Sequence, residues 1–148
     1  MEKSVGRLVS ILYRKNQVYL NTALKDLMLT ASELPLVTYL SSHGGVSQEE
    51  LSAFLLIDKA ATARAVKSLI SKGFIKKEKD PDDRRANKLF LTPSAQTQMP
   101  EITKRLRKWN GYLTENLDEG TADVMYQALE SMVHKIDTID FRMTWRAE

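Results

Sequence analysis

A chain of 148 residues, 43% hydrophobic and 28% charged, has enough apolar surface for one compact domain with helical extensions and excludes a large multidomain enzyme. Its 22 basic residues against 19 acidic ones leave a net charge of +3, a surplus too small to name a partner. There is no cysteine, which removes disulfides, thiolate zinc sites, cysteine nucleophiles and thiol-based redox sensing and fits a reducing cytoplasm.

Met1-Glu2-Lys3-Ser4 opens directly into an amphipathic pattern, and no apolar run approaches the roughly 18 residues of a membrane span. A soluble, unprocessed, cytoplasmic protein without membrane contact is expected. From Val5 to Leu27, apolar residues recur with helical spacing (Leu8, Val9, Leu12, Tyr13, Val18, Leu20, Leu24), predicting one long first helix. Thr30 and Glu33 have capping-box spacing for a second helix through Leu34, Val37 and Leu40; Pro35 fits its first turn better if Ser32 caps. Gly44-Gly45 stops it.

Ser47-Gln48-Glu49-Glu50 is another capping box, placing Leu51, Phe54 and Leu55 on one face of a short helix. Asp58 then caps a helix reaching Lys72, ended by Gly73, and the short gap at Leu56-Ile57 is what a helix-turn-helix looks like in sequence. Phe74 to Glu78 and Lys88 to Leu91 flank a turn-rich loop, Asp80 to Asn87, predicting a two-stranded hairpin. Thr92-Pro93 starts a helix through about Asn116 with Pro100 as a bend point. Thr121 starts a last helix with Val124, Leu129, Met132, Val133, Ile136 and Ile139 on its apolar side.

Charge is unevenly placed along this order. Between residues 58 and 92, ten basic side chains face five acidic ones, a local +5, whereas the other 113 residues sum to −2. On the Asp58 helix, Ala61, Thr62, Ala65, Val66 and Leu69 cluster on one side, with Ala60, Ala63, Arg64, Lys67 and Ser71 opposite and Lys59 on the flank. Small residues let a backbone approach a groove floor, Arg64 suits a bidentate contact to guanine, and Lys67 suits phosphate. The same pattern also describes an ordinary solvated face. At the hairpin tip Arg84 and Arg85 can enter a narrow minor groove, and Asp83 can brace one of them through a carboxylate–guanidinium pair. A polar turn with a local ion pair is the bland alternative.

Leu56 to Leu69, then Lys72-Gly73-Phe74-Ile75, then Asp80-Pro81-Asp82-Asp83-Arg84-Arg85 and Leu91-Thr92 together resemble the MarR family of winged helix-turn-helix transcriptional regulators. The Asp-Arg-Arg tip after a helix ending in Lys-Gly-aromatic-Ile is the specific part, and the order of helices and hairpin extends the resemblance over essentially the whole chain. The resemblance implies a mainly α fold with a β-hairpin wing. It also implies a homodimer built by residues 1–29 and 93–148, around a DNA-binding domain at residues 30–92. By the same resemblance, Lys59, Ala60, Arg64 and Lys67 contact the major groove of double-stranded DNA, Arg84 and Arg85 serve the wing, and Asp83 orients it. A pseudo-palindromic operator, repression and steep salt dependence follow as expectations.

Family members often respond to small aromatic or phenolic acids. Tyr13, Arg14, Tyr39 and Trp109, with Lys108, are the candidates here, although aromatic residues at helical spacing equally read as core. No catalytic set or cofactor motif accompanies His43 and His134, and the Asp80 loop lacks the glycine and glutamate of a calcium site, with Arg85 and Leu91 in their places. Neither enzyme nor metalloprotein is expected. A helical dimer whose basic lobe binds a protein partner or an acidic surface uses the same charge and stays open at this point.

Overall fold

Ser4 begins the first helix by accepting the Arg7 N–H at 3.2 Å, and α1 runs Val5–Ala23 in this computed structural model, which describes residues 2–139. The apolar spacing continues to Leu27, but the regular helix does not: a 3-10 turn covers Lys25–Leu27 and ends at Met28, in the left-handed region at φ 61°. A residue far along the chain meets this end. Arg105 donates to the Ala23 carbonyl at 2.6 Å, a group that another helical turn would have used, and forks onto the Asp26 carboxylate.

Thr30 and Glu33 make the expected reciprocal bonds, at 3.3 and 3.1 Å, yet α2 (Leu34–Ser42) starts only after them, with Pro35 in its first turn. Glu33 is the flanking residue rather than Ser32, whose hydroxyl lies against that of Thr30 at 3.1 Å. Gly45, at φ +88°, lets the chain reverse beneath Phe90. Ser47 and Glu50 close a complete capping box for α3 (Gln48–Leu55), and Asp58 caps α4 (Lys59–Ser71) by accepting the Ala61 N–H at 2.8 Å. Leu56, at φ 55°, makes the turn between them, and the buried Ser52 hydroxyl donates to the Ile57 carbonyl at 2.5 Å.

Phe54 departs from expectation: it is 64% exposed. At 100° per residue the inward arc of α3 is Leu51, Leu55 and Ser52, which leaves Phe54 over 100° from its centre. It packs instead on Tyr39, with ring centroids 4.3 Å apart.

Antiparallel strands β1 (Ile75–Lys79) and β2 (Asn87–Leu91) form the hairpin, with Ile75 opposite Leu91 and Lys79 opposite Asn87. Leu89 also exchanges 2.8 Å backbone bonds with Gly45 and Val46, so the wing is anchored on both edges of β2. Thr92 donates to the Gly73 carbonyl at 2.6 Å and accepts the Ala95 N–H, closing the hairpin and opening α5 (Pro93–Thr114), which contains Pro100.

The chain forms two compact units, one through Arg105 and one from Leu106 onward. In the first, Leu24, Leu36, Val37, Leu51, Val66, Leu69, Leu89 and Ile102 make a buried core drawn from the end of α1, four further helices and β2. In the second, α6 (Glu119–Asp137) starts two residues before the expected Thr121, because Asp118 accepts both the N–H and the hydroxyl of Thr121. Asn110 and Tyr126 tie α5 to α6. No described side chain of this second unit is buried. Ile139 is the last described residue.

Candidate nucleic-acid interface

Thr62, Val66 and Leu69 turn one face of α4 into the core of the first unit, so helical geometry turns the opposite face to solvent. Lys59, Ala60, Ala63, Arg64 and Lys67 are all exposed there. Asp58 fixes where that face begins, and the Thr62 hydroxyl, donating to the Asp58 carbonyl at 3.0 Å, locks the first turn.

Of the ten basic residues between 58 and 92, four are matched by carboxylates. Lys72 pairs with Glu33 at 2.9 Å, Lys76 with Glu78 at 2.9 Å, Lys59 with Glu49 at 3.6 Å and Lys88 with Asp80 at 3.7 Å. The Lys59 pair is more than 80% exposed on both sides and is weak enough for the ammonium to leave it. Arg64, Lys67, Lys77, Lys79, Arg84 and Arg85 carry no ion pair among the described residues. They form the unneutralised charge of the lobe.

Two shallow grooves connect three of them, Lys67, Lys77 and Arg85. Gln48, Ala63, Val66, Lys67, Ile70 and Lys77 line one; Gln48, Lys77, Arg85 and Asn87 contribute to the other. Lys77 and Gln48 therefore join the recognition helix to the wing, and neither was singled out from sequence. Strand alternation carried a signal for Lys77, which shares a face of β1 with the buried Ile75 and so leans toward α4. Gln48 carried none beyond its place at the first turn of α3.

At the wing tip, Asp83 does not pair with a guanidinium among the described residues. Its carboxylate accepts the Arg85 backbone N–H at 3.0 Å, and Ala86 N–H returns to the Asp83 carbonyl. An aspartate bonding its own backbone two residues on is a turn former, so it fixes the path of the loop and leaves both guanidinium groups unpaired.

The side chains expected around an effector are divided between the two units. Tyr13 lines a cleft of about 780 Å³ in the first unit, bounded by the Thr30–Glu33 turn, Leu56-Ile57 and the Arg64 side of α4. Arg14 reaches back to Ser10 at 2.5 Å. Tyr39 stacks on His43 at 4.6 Å and meets Phe54 at a tilt of 39°. Trp109, in the second unit, stacks on Tyr112 at 5.8 Å, and Lys108 is exposed. Among the described residues no cluster of His, Asp or Glu has metal-binding geometry, and no helix is long and apolar enough to cross a membrane.

A helix-turn-helix whose second helix presents small and basic residues, followed by a hairpin with two unpaired arginines, defines a winged-helix DNA-binding protein. The MarR family profile matches residues 29–86. A MarR transcriptional regulator from Methanosarcina mazei Go1 is 30% identical, superposes with a TM-score of 0.84, and shares 88% of this chain and 94% of its own. The multiple antibiotic resistance protein MarR of Salmonella typhimurium is 29% identical over 89% of this chain and 90% of its own. A MarR family regulator from Listeria monocytogenes, solved in complex with a 26mer DNA, is 25% identical with a TM-score of 0.82, over 91% of this chain and 90% of its own. The chain belongs to the MarR family of DNA-binding transcriptional regulators, which are not enzymes.

Proposed function

We propose that the protein is a homodimeric repressor that reads a pseudo-palindromic operator with α4 in the major groove and the wing in the minor groove. Residues 30–92 read DNA, and residues 1–29 and 93–148 hold the two copies together. The observation that carries the reading is that Lys67, Lys77 and Arg85, none of them in an ion pair among the described residues, line two grooves that run from α4 to the wing, with the unpaired Arg64 exposed on the same helix. The complex of the Listeria relative with DNA supports it.

In this reading Lys59, Ala60, Arg64 and Lys67 meet base edges and phosphates, Arg84 and Arg85 serve the minor groove, and Asp83 holds the loop that aims them. Fluorescence-anisotropy titration against genomic fragments selected for binding tests it. Arg64→Ala is expected to relax base preference at about 1–3 kcal/mol, and Arg85→Ala to weaken binding most on A·T-rich, narrow-groove sites. Unchanged specific binding in both variants overturns the assignment. Transcript levels of the adjacent gene, rising when the regulator is deleted, test repression.

The cleft beside Tyr13 supports an effector reading of the same molecule. An aromatic acid held against Tyr13 with its carboxylate on Arg64 competes with DNA for that guanidinium. Release of labelled operator by an aromatic acid, lost in Tyr13→Ala, is the expected result.

A further inference from the structure

Glu33 is 4% exposed, and both of its carboxylate oxygens are occupied. Oε1 accepts the Ser68 hydroxyl at 2.6 Å and Lys72 Nζ at 3.0 Å; Oε2 accepts the Thr30 N–H at 3.1 Å and Lys72 Nζ at 2.9 Å. Ser68 and Lys72 are one turn apart on a single side of α4. Ser68 is also one turn beyond Arg64, and both border the same cleft as Glu33. One carboxylate at the entry to α2 thus grips the C-terminal half of the recognition helix at two points.

A buried ion pair is weak evidence for stability, because an apolar pair of similar size often serves as well. Its directional bonds do what apolar packing does poorly: they set the rotation and tilt of one helix against another. From Ser68 to Lys59 the helix rises roughly 13 Å, so a tilt of about 10° at the grip moves the N-terminal end by about 2 Å. That is enough to break a bidentate base contact, which requires hydrogen-bond distances. A phosphate attraction falls more gently over the same shift, because Coulomb energy decreases only as the inverse of distance.

We propose that Glu33 is a positioning residue for DNA recognition: through Ser68 and Lys72 it sets the angle at which α4 presents Lys59, Arg64 and Lys67. The proposal rests on the DNA-reading assignment above. It separates two quantities that a merely structural role lowers together, specific affinity and non-specific affinity.

The test uses the full chain, its selected operator duplex and a scrambled duplex of equal length. In Glu33→Gln/Lys72→Met both charges leave together, so no unpaired ion is stranded. This variant is expected to melt cooperatively and to bind the scrambled duplex as wild type does, with the same salt slope. It is expected to bind the operator about tenfold more weakly, the scale of one lost base contact. Ser68→Ala, which favours helix and leaves the ion pair in place, is expected to give a smaller loss of the same kind and keeps the test open if the double variant folds poorly. Operator binding at wild-type strength in both folded variants overturns the proposal, as does an equal loss on operator and scrambled duplex. If wild type itself discriminates between no duplexes, the DNA-reading assignment falls, a result distinct from either.

Discussion

Lys67 and Lys72 lie five residues apart on or just past α4 and differ in what their charge reaches. Lys67 is exposed beside Lys77, whereas the Lys72 side chain is 22% exposed and its ammonium is spent on Glu33. Each phosphate contact removed lowers the slope of log affinity against log salt by about 0.9, so Lys67→Met should flatten that slope and Lys72→Met should not. Titration across a salt series checks both, and a flatter slope for Lys72→Met contradicts the geometry. Glu33 itself makes acid stability informative. Burial works to raise its pKa, but the Ser68 hydroxyl, the Lys72 ammonium and the Thr30 N–H together outweigh it and hold the carboxyl below its ordinary value of 4.5. A carboxyl depressed by folding contributes stability that is fully present above 4.5 and is lost as pH falls through the folded-state value. The gap in Tm between wild type and Glu33→Gln should therefore be widest near neutrality and shrink well below pH 4.5. Asp26, depressed by its bonds to Arg105, titrates in the same direction, so the difference between the two proteins is the diagnostic quantity and not either curve alone.

Element boundaries followed local capping chemistry closely at α3 and α4, whereas α2 starts after its Thr30–Glu33 box and α6 before Thr121 although their caps are equally local. Ser47 and Asp58 were legible because their acceptor oxygens and the N–H groups they satisfy lie within one turn, and α3 and α4 start where those caps put them. Ser47→Ala should accordingly lower stability by about 1 kcal/mol, read as a fall of a few degrees in Tm, with a smaller effect for Ser47→Asp, which keeps an acceptor. Boundaries set by distant residues were not legible. The end of α1 at Ala23 is met by Arg105, 82 residues on, and the grip on α4 comes from Glu33, 35 residues before Ser68. Periodicity identified the outward face of α4 correctly because its inward side is a clean arc of Thr62, Val66 and Leu69. It misplaced Phe54 because an eight-residue helix has too few turns for apolar spacing to distinguish the core side from an aromatic resting on Tyr39. The wing arginines were legible as residues, but the role of Asp83 was not: a carboxylate beside two guanidinium groups suggests an ion pair, while the geometry of the turn directs it to a backbone N–H.

At the scale of the whole molecule, every fully buried side chain among the described residues lies in the first unit, and those of the second are half-buried at most. Leu129, Met132, Val133 and Ile136 stand at i, i+3, i+4 and i+7 on α6, all exposed, with Val124 well away around the helix. On α1, Val5, Leu8, Val9 and Leu12 repeat the same spacing, also exposed. Two apolar stripes of this length are larger than isolated surface hydrophobes and have the size and composition of a surface that a partner covers. A second copy is the partner the proposed function calls for, because two lobes on one duplex gain effective concentration that one lobe lacks, worth about 10²–10⁴ in affinity. Leu129→Glu with Val133→Glu places two carboxylates in that stripe and should shift sedimentation equilibrium toward monomer. Residues through Arg105 keep their core, so the far-ultraviolet helical signal should fall only modestly. Operator affinity should then drop by two or more orders of magnitude, and the salt slope should approach half its former value as one set of phosphate contacts is lost. A variant that remains dimeric removes this stripe from the interface; one that becomes monomeric yet binds the operator as before removes dimerisation from the mechanism.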